Sequence, residues 1–141
     1  MMKKQFIGLT FLLTFFLVGC NDEDEVTDKE QTATPPSHHF TEFSLDVDYV
    51  NKENYDAIYE QENNKLESSI EDDRNQEKLD GNAAYEKLNP LLEKLTFDAT
   101  TPEDQVIAEV LQVFNLDNNF TEFDLEVIFH DGTKTEYKQT K

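Results

Sequence analysis

The most reactive side chain in this sequence is that of Cys20, the only cysteine among 141 residues. A thiolate is a strong nucleophile, whereas a lone cysteine cannot form a disulfide within its own chain. Cys20 directly follows Gly19, at the end of an apolar run that begins at Phe6. We therefore predict that Cys20 serves covalent modification and not the stability of the fold.

The residues before Cys20 have the parts of an export signal. Lys3 and Lys4 supply a positive start, and the apolar run from Phe6 to Val18 is broken only by glycine and threonine. A helix needs roughly 20 apolar residues to span a bilayer, so this run is short for a permanent anchor. Residues 1–19 are therefore predicted to be a cleaved signal peptide.

The four residues Leu17-Val18-Gly19-Cys20 resemble the lipobox of bacterial lipoproteins. The resemblance implies cleavage between Gly19 and Cys20, and a diacylglycerol thioether on Cys20 as the new N-terminus. Each buried lipid CH₂ contributes roughly 0.8 kcal/mol, so two acyl chains attach a protein stably. This places the protein at the cell membrane, lipid-anchored on the extracytoplasmic side. The alternative is an ordinary cleaved signal followed by a chance cysteine.

The charge of the chain limits its partners. It has 31 acidic residues against 12 lysines and arginines, a formal net charge of −19. The phosphates of nucleic acids and of anionic lipids repel such a chain. We therefore expect no nucleic acid partner, and a membrane contact only through a covalent lipid on Cys20. The acidic surface is expected to bind divalent cations weakly and diffusely, and no cofactor is expected.

Composition divides the chain into three parts: a signal peptide over 1–19, an acidic tether over 20–39 and a folded domain over 40–141. The tether contains the acidic run Asp22–Glu25 and few apolar residues. Such segments remain extended because they cannot bury enough apolar surface to fold. The tether is predicted to hold the domain clear of the lipid headgroups.

The domain is predicted to be α+β, an antiparallel sheet of about five strands with two helices packed on one face. Apolar and polar residues alternate in the strand pattern over 43–49 and 123–129. Shorter strands are predicted at 55–59, 66–71 and 133–137, with Asn63-Asn64 as a turn. Helical spacing of apolar residues covers 84–95 and 106–114, and Pro90 is expected to kink or break the first helix near Asn89.

One eight-residue phrase occurs twice in the domain. Phe40–Val47 and Phe120–Val127 are identical at six of eight positions. The phrase either records a duplication or belongs to two strands in similar sheet environments. We favour similar environments, because nothing else in the chain repeats at that spacing.

The last two strands are predicted to form a hairpin around His130-Asp131-Gly132. A two-residue turn would place charged residues opposite core residues. A three-residue loop instead places Val127 opposite Thr135 and Leu125 opposite Tyr137, so that one apolar face is kept. This loop needs a left-handed residue in a G1 bulge, which Gly132 supplies.

The histidines are weak candidates for chemistry. His38 and His39 are adjacent on the predicted tether without a third ligand, whereas a metal site needs three or four. His130 beside Asp131 has the residue types of a catalytic dyad, but the chain contains no serine nucleophile motif. A turn-forming role explains Asp131 better.

The carboxylates also give no specific site. Four residues match positions of an EF-hand calcium loop: Asn115, Asp117, Asn119 and Glu126. However, Phe120 occupies the position where the sharp turn of that loop needs glycine. Four aspartates could furnish an acid–base pair, and a solvated face explains them better; they are Asp46, Asp48, Asp72 and Asp73.

The chain resembles the YusW-like family in five features of its sequence. They are the lipobox, the acidic tether, the strand over 43–49, the segment Leu79-Asp80-Gly81 and the closing Asp131-Gly132 hairpin. The similarity covers residues 40–137. It implies a small exported, lipid-anchored module of Gram-positive bacteria that is not an enzyme, and it transfers no catalytic residue.

The leading hypothesis is therefore a cell-surface binding or interaction protein whose partner is a protein or a cell-wall component. The alternative is a contact inhibitor or sensor of an extracellular enzyme, and a hydrolase ranks last. Both binding hypotheses predict an exposed apolar or aromatic patch. An enzyme predicts a deep pocket lined by converging polar groups.

Overall fold

Alternating apolar and polar side chains dominate the domain, and they fold as one antiparallel sheet. The computed structural model describes residues 38–141. Its elements are β1 Phe40–Tyr49, β2 Asn54–Glu62, β3 Lys65–Asp72, β4 Glu77–Asp80, α1 Asn82–Leu92, α2 Glu103–Val113, β5 Phe120–Phe129 and β6 Lys134–Thr140. The strand order is β4-β3-β2-β1-β5-β6. The predicted α+β class is confirmed, with six strands in place of about five.

The strand that the sequence did not reveal is β4. It has four residues and pairs with β3, where Leu79 lies opposite Ile70. Leu79 is its only apolar residue, and one residue makes no alternating pattern. The predicted strands at 55–59 and 66–71 are confirmed within the longer β2 and β3.

The two similar phrases pair with each other at the centre of the sheet. Leu45 in β1 lies opposite Leu125 in β5, and these leucines occupy the same place in the two phrases. Phe43 and Val47 lie opposite Val127 and Phe123. An approximate two-fold axis therefore passes between the leucines. Both strands meet the same core and have a neighbour on each side, which explains why the same residue pattern suits both.

The hairpin between β2 and β3 has the predicted asparagine turn. Asn63 and Asn64 both have positive φ angles, 47° and 67°, and Glu62 pairs with Lys65 across the turn. Two-residue hairpin turns with positive φ match the twist of the strands, and asparagine accepts this conformation at low cost.

The three-residue loop between β5 and β6 is confirmed. Val127 pairs with Thr135 and Leu125 with Tyr137. The N–H of Phe129 donates to the carbonyl of Thr133 at 2.9 Å, and Gly132 has φ +84°. The turn geometry therefore sets the register that keeps apolar residues on one face.

Replacing Gly132 by alanine should lower the stability of the domain. No atom lies within 4 Å of the position that a Cβ would take, so the cost comes from the positive φ alone, about 1 kcal/mol. Thermal unfolding should show a decrease of roughly 5 °C. Gly132→Asn is the matched control, because asparagine tolerates positive φ, and its midpoint should stay near wild type. Equal midpoints for alanine and glycine would contradict the bulge.

Both helices pack on the apolar face of the sheet. Helix α1 contacts β2, β3 and β4, and α2 contacts β6. The helices bury Ala84, Leu88 and Leu92 from α1, and Val106, Ile107, Val110 and Leu111 from α2. Just beyond α2, the ring of Phe114 stacks on Phe43 with 5.4 Å between centroids. Within residues 38–141, neither helix has the length and apolar content to cross a membrane.

The first helix does not break at Asn89. It runs through Pro90 and ends at Leu92. A proline removes one helical hydrogen bond and strains the preceding turn. Here Pro90 lies in the last turn, where little helix remains to be disrupted, and the N–H of Glu93 still donates to the carbonyl of Asn89 at 3.0 Å.

Candidate interaction surface

The face of the sheet opposite the helices carries a row of charged residues across all six strands. Cross-strand pairing aligns Lys78, Glu71, Asp56, Asp46, Asp124 and Lys138 in that order. The outer lysines form ion pairs, Lys78 with Glu71 at 3.0 Å and Lys138 with Asp124 at 2.9 Å. The two central aspartates have no lysine or arginine partner among the described ion pairs. We call this side of the sheet the acidic face.

Further acids extend the acidic face on either side of this row. Glu67, Glu60 and Glu42 pair across β3, β2 and β1, and Glu126 pairs with Glu136 across β5 and β6. Like charges that lie directly opposite one another destabilise a sheet. The acidic face therefore carries a concentration of negative charge that the fold tolerates at a cost in stability.

Burial, and then this repulsion, raise carboxyl pKa values on the acidic face. Partial burial, and then the charges of Asp56, Asp48 and Asp124, raise the pKa of Asp46 to about 6. Burial and the charge of Glu71 also raise the pKa of Asp56. The amide of Asn54 donates to Asp56 Oδ2 at 2.6 Å, which offsets part of that rise. A positive partner placed over this face would relieve the repulsion.

The expected exposed apolar or aromatic patch is not found in the described part of the chain. Its exposed large apolar residues are Val50, 62% exposed in the turn after β1, and Ile58, 41% exposed on the acidic face. Single exposed apolar residues are ordinary. The feature that distinguishes this surface is its charge, and no described helix or strand covers it.

The three histidines of the chain lie at one corner of the domain, which the sequence did not reveal. Nε2 of His130 donates to the backbone carbonyl of His38 at 3.0 Å, and the His130 N–H donates to the carbonyl of His39 at 3.1 Å. His38 is only 3% exposed and packs edge-on against Tyr59 at 4.7 Å. The corner therefore fastens the chain before β1 to the loop between β5 and β6.

A cavity of about 510 Å³ opens beside this corner, lined by His39, Phe97, Phe129 and His130 with the acids Asp98 and Asp131. The acids accept hydrogen bonds from their own turns: Asp98 from Thr100, and Asp131 from the N–H of Thr133 at 2.8 Å. These bonds lower the pKa of both carboxyls. Both acids therefore support the structure of their turns, as expected for Asp131.

The four candidate aspartates do not form one site. Asp46 and Asp48 lie on the outer side of β1, whereas Asp72 lies on the core side and is 3% exposed. Burial raises the pKa of Asp72, but hydrogen bonds from Arg74 and Asn75 outweigh it, so the pKa lies below its ordinary value. Asp73 is exposed in the following turn. The four aspartates therefore do not converge on one site.

The EF-hand spacing also does not become a site. Asn115, Asp117 and Asn119 precede β5, whereas Glu126 lies within it and forms an ion pair with Lys134 at 2.7 Å. No group of three or more metal-binding side chains with suitable geometry occurs within residues 38–141.

The predicted modification site, Cys20 with Gly19 before it, lies outside the described residues. The predicted signal peptide also lies there, as does the tether up to residue 37.

The fold and this surface define the class of protein as a small acidic α+β domain whose two described helices both pack on one side of the sheet. The family model described as YusW-like protein matches residues 41–131, well over half of the chain, and the chain belongs to this family. The chain is 28% identical over 138 residues to uncharacterized protein YusW of Bacillus subtilis (strain 168). The aligned region covers 94% of this chain and 95% of the Bacillus subtilis protein. The family membership inferred from the residues is confirmed. No solved structure matches the chain.

Proposed function

We propose that this chain is an exported lipoprotein, held on the extracytoplasmic side of the cell membrane through a lipid on Cys20. Its folded domain binds a positively charged partner through the acidic face and catalyses no reaction. The observation that carries this proposal is the acidic face, which no helix or strand of residues 38–141 covers. Asp46 and Asp56 lie there between further acids and have no lysine or arginine partner among those residues.

The leader supports the anchored location. It combines a positive start, an apolar run and Leu17-Val18-Gly19 before a single cysteine. An anionic body does not adhere to an anionic membrane. Attachment through a covalent lipid is therefore consistent with a chain of net charge −19.

The electrostatics support a cationic partner. Negative charge concentrated on one face attracts positive partners over distance and raises the rate of encounter. A bound cation also offsets the repulsion that, after burial, raises the pKa of Asp46. Basic segments of cell-surface proteins carry the positive charge that this face attracts. In the alternative function, contact inhibition, the basic segment belongs to the extracellular enzyme that the domain inhibits.

Replacing Cys20 by serine should remove the protein from the membrane fraction, because serine lacks the thiol that accepts the lipid. The measurement is cell fractionation with detection of the chain, together with the mass of the mature N-terminus. Val26→Ser, six residues beyond the motif, is the control and should fractionate like wild type. A Cys20→Ser variant that remains with the membranes would refute the lipid anchor.

Binding through the acidic face can be measured with a deca-lysine peptide by calorimetric titration. Asp46→Asn with Asp56→Asn should weaken binding several-fold and reduce its salt dependence. Glu86→Gln with Glu103→Gln removes the same charge from the helices, so binding should stay close to wild type. Equal weakening in both double variants would mean that net charge alone attracts the peptide, and would refute a specific face.

A further inference from the structure

Strand β6 forms one edge of the sheet, and no described strand pairs with its outer side. The N–H of Phe129 donates to the carbonyl of Thr133, so this pair is hydrogen-bonded and the pairs alternate from there. The backbone groups that point away from β5 therefore belong to Lys134, Glu136, Lys138 and Thr140. Outward N–H and carbonyl groups on an edge can pair with another strand.

This edge differs in charge from the rest of the protein. The strand β6 contains Lys134, Lys138 and Glu136, a net charge of +1, in a chain of net charge −19. The opposite edge, β4, contains Glu77, Lys78 and Asp80, a net charge of −1. Of the two contacts that join like edges, β6 with β6 therefore brings less negative charge together than β4 with β4. A β6–β4 contact would join opposite charges, but it is head-to-tail and does not close into a two-fold dimer.

The charge pattern of β6 and full overlap of the strand together select one antiparallel register with a second β6. When the two-fold axis passes through Tyr137, all seven residues overlap and Glu136 of each copy faces Lys138 of the other. An axis at Glu136 would instead place Glu136 opposite itself and Lys134 opposite Lys138. An axis at Lys138 would place Lys138 opposite itself. An axis at Thr135 would also place Glu136 opposite Lys134, but only three residues of β6 would then overlap. Charged residues usually protect an edge from pairing, and here they leave one favourable alignment that uses the whole strand.

The backbone supports the same register. With the axis at Tyr137, Glu136 meets Lys138 and Lys134 meets Thr140, so outward groups face outward groups. A slip of one residue would align outward groups with groups already bonded to β5. The Glu136–Lys138 contact also exists within one chain at 2.8 Å, so the side chains need only exchange partners.

We propose that two copies of this chain associate edge to edge through β6, as a symmetric dimer with one continuous antiparallel sheet. A closed two-fold dimer uses the same strand on both copies and leaves no β6 edge free. The acidic faces of the two copies then join into a single surface. One short strand provides less than the roughly 1,200 Å² of a stable interface, so the dimer is weak in dilute solution. Attachment of both copies to one membrane raises their local concentration.

Charge reversal at β6 tests the dimer with the full chain in detergent, using sedimentation equilibrium up to millimolar concentration. Glu136→Lys and Lys138→Glu should each lower the association constant about tenfold or more, because like charges then face one another. An equimolar mixture of the two variants should associate again, because every reversed charge meets an opposite one. The double variant Glu136→Lys with Lys138→Glu should also recover self-association.

Lys78→Glu on the β4 edge is the control, and its association should match wild type. Circular dichroism checks that each variant is folded. A wild-type chain that stays monomeric at millimolar concentration would overturn the proposal. The proposal would also be overturned if both charge reversals left the association constant unchanged, or if the mixture of the two variants failed to associate. Either result would mean that the two copies do not contact each other through β6.

Discussion

Replacing Asp72 by alanine should destabilise the domain by about 3 kcal/mol, since removing one partner of a buried ion pair leaves the other charge uncompensated. Asp72 accepts hydrogen bonds from Nε and Nη2 of Arg74 at 2.9 and 2.8 Å, and from the side-chain amide of Asn75 at 2.8 Å. The Arg74 guanidinium also lies 5.2 Å from the ring centroid of Tyr49 and 5.4 Å from that of Tyr55. Denaturant unfolding at neutral pH measures the loss.

The pH dependence gives this prediction a second readout. The hydrogen bonds hold the pKa of Asp72 below the ordinary value of 3.8. The pair therefore stabilises the domain fully above that value, and its contribution is lost as the pH falls toward the lower pKa of the folded state. The difference between Asp72→Ala and wild type should shrink in that acid range.

Asp73→Ala is the matched control for Asp72. Asp73 is the next residue and is exposed in the turn, so its loss should cost less than about 0.5 kcal/mol. A double-mutant cycle with Arg74→Ala measures the coupling between the paired charges directly. A loss below about 1 kcal/mol for Asp72→Ala would contradict a buried ion pair of this kind.

Replacing His38 by phenylalanine should stabilise the domain, and the gain should increase in acid. His38 is 3% exposed, and neither ring nitrogen makes a hydrogen bond of good geometry within residues 38–141. Burying an unpaired polar group costs about 1–3 kcal/mol, which an apolar ring of similar shape avoids. Packing against Phe40 and Tyr59 is retained by the new ring. We expect a gain of about 1 kcal/mol at neutral pH.

The acid part of this prediction follows from the pKa of His38. Burial, and then the charge of His130, lower this pKa from 6.5 to about 4, while the charge of Glu93 acts in the opposite direction. Between these values the unfolded chain binds a proton on His38 that the folded chain does not, so wild type loses stability as the pH falls from 6.5 to 4. The loss reaches up to about 3 kcal/mol, and His38→Phe should be free of it.

The comparison with wild type separates His38 from the carboxylates. The raised pKa of Asp46 makes the domain more stable as the pH falls through about 6, which is opposite to the effect of His38. Burial and the repulsion on the acidic face both disfavour the charged carboxylate, and protonation relieves both. That contribution is common to both proteins and cancels in the difference. His39→Phe, at the exposed neighbouring position, is the control and should change stability by less than about 0.5 kcal/mol. A constant difference between His38→Phe and wild type from pH 6.5 to 4 would contradict the buried neutral imidazole.

Much of the fold could be predicted from the sequence because apolar residues recur with clear strand and helix periods. Alternation over 43–49 and 123–129 predicted the central strands, and helical spacing predicted both helices. The choice between two hairpin loops followed from matching apolar faces, and Gly132 confirmed it. β4 escaped because a strand with one apolar residue has no period.

The candidate interaction surface could be predicted only in part from the sequence. Alternation indicated that Asp46 and Asp48 lie on a wet face, because side chains in a strand point to opposite sides in turn. It could not indicate that Asp56, Glu71 and Asp124 join Asp46 in one row. That row depends on the register between strands that are far apart in the chain.

The sequence by itself determined the class of the fold, the hairpin registers set by turn residues, the membership in the YusW-like family and the expectation of a lipid on Cys20. These depend on neighbouring residues, for which local sterics and hydrophobic periodicity are sufficient. Only the tertiary structure decided that His38 is buried beside His130, that Asp72 faces the core, and that β6 is a free edge in the described domain. Strand order and burial arise when distant segments pack, and local pattern does not encode which segments meet.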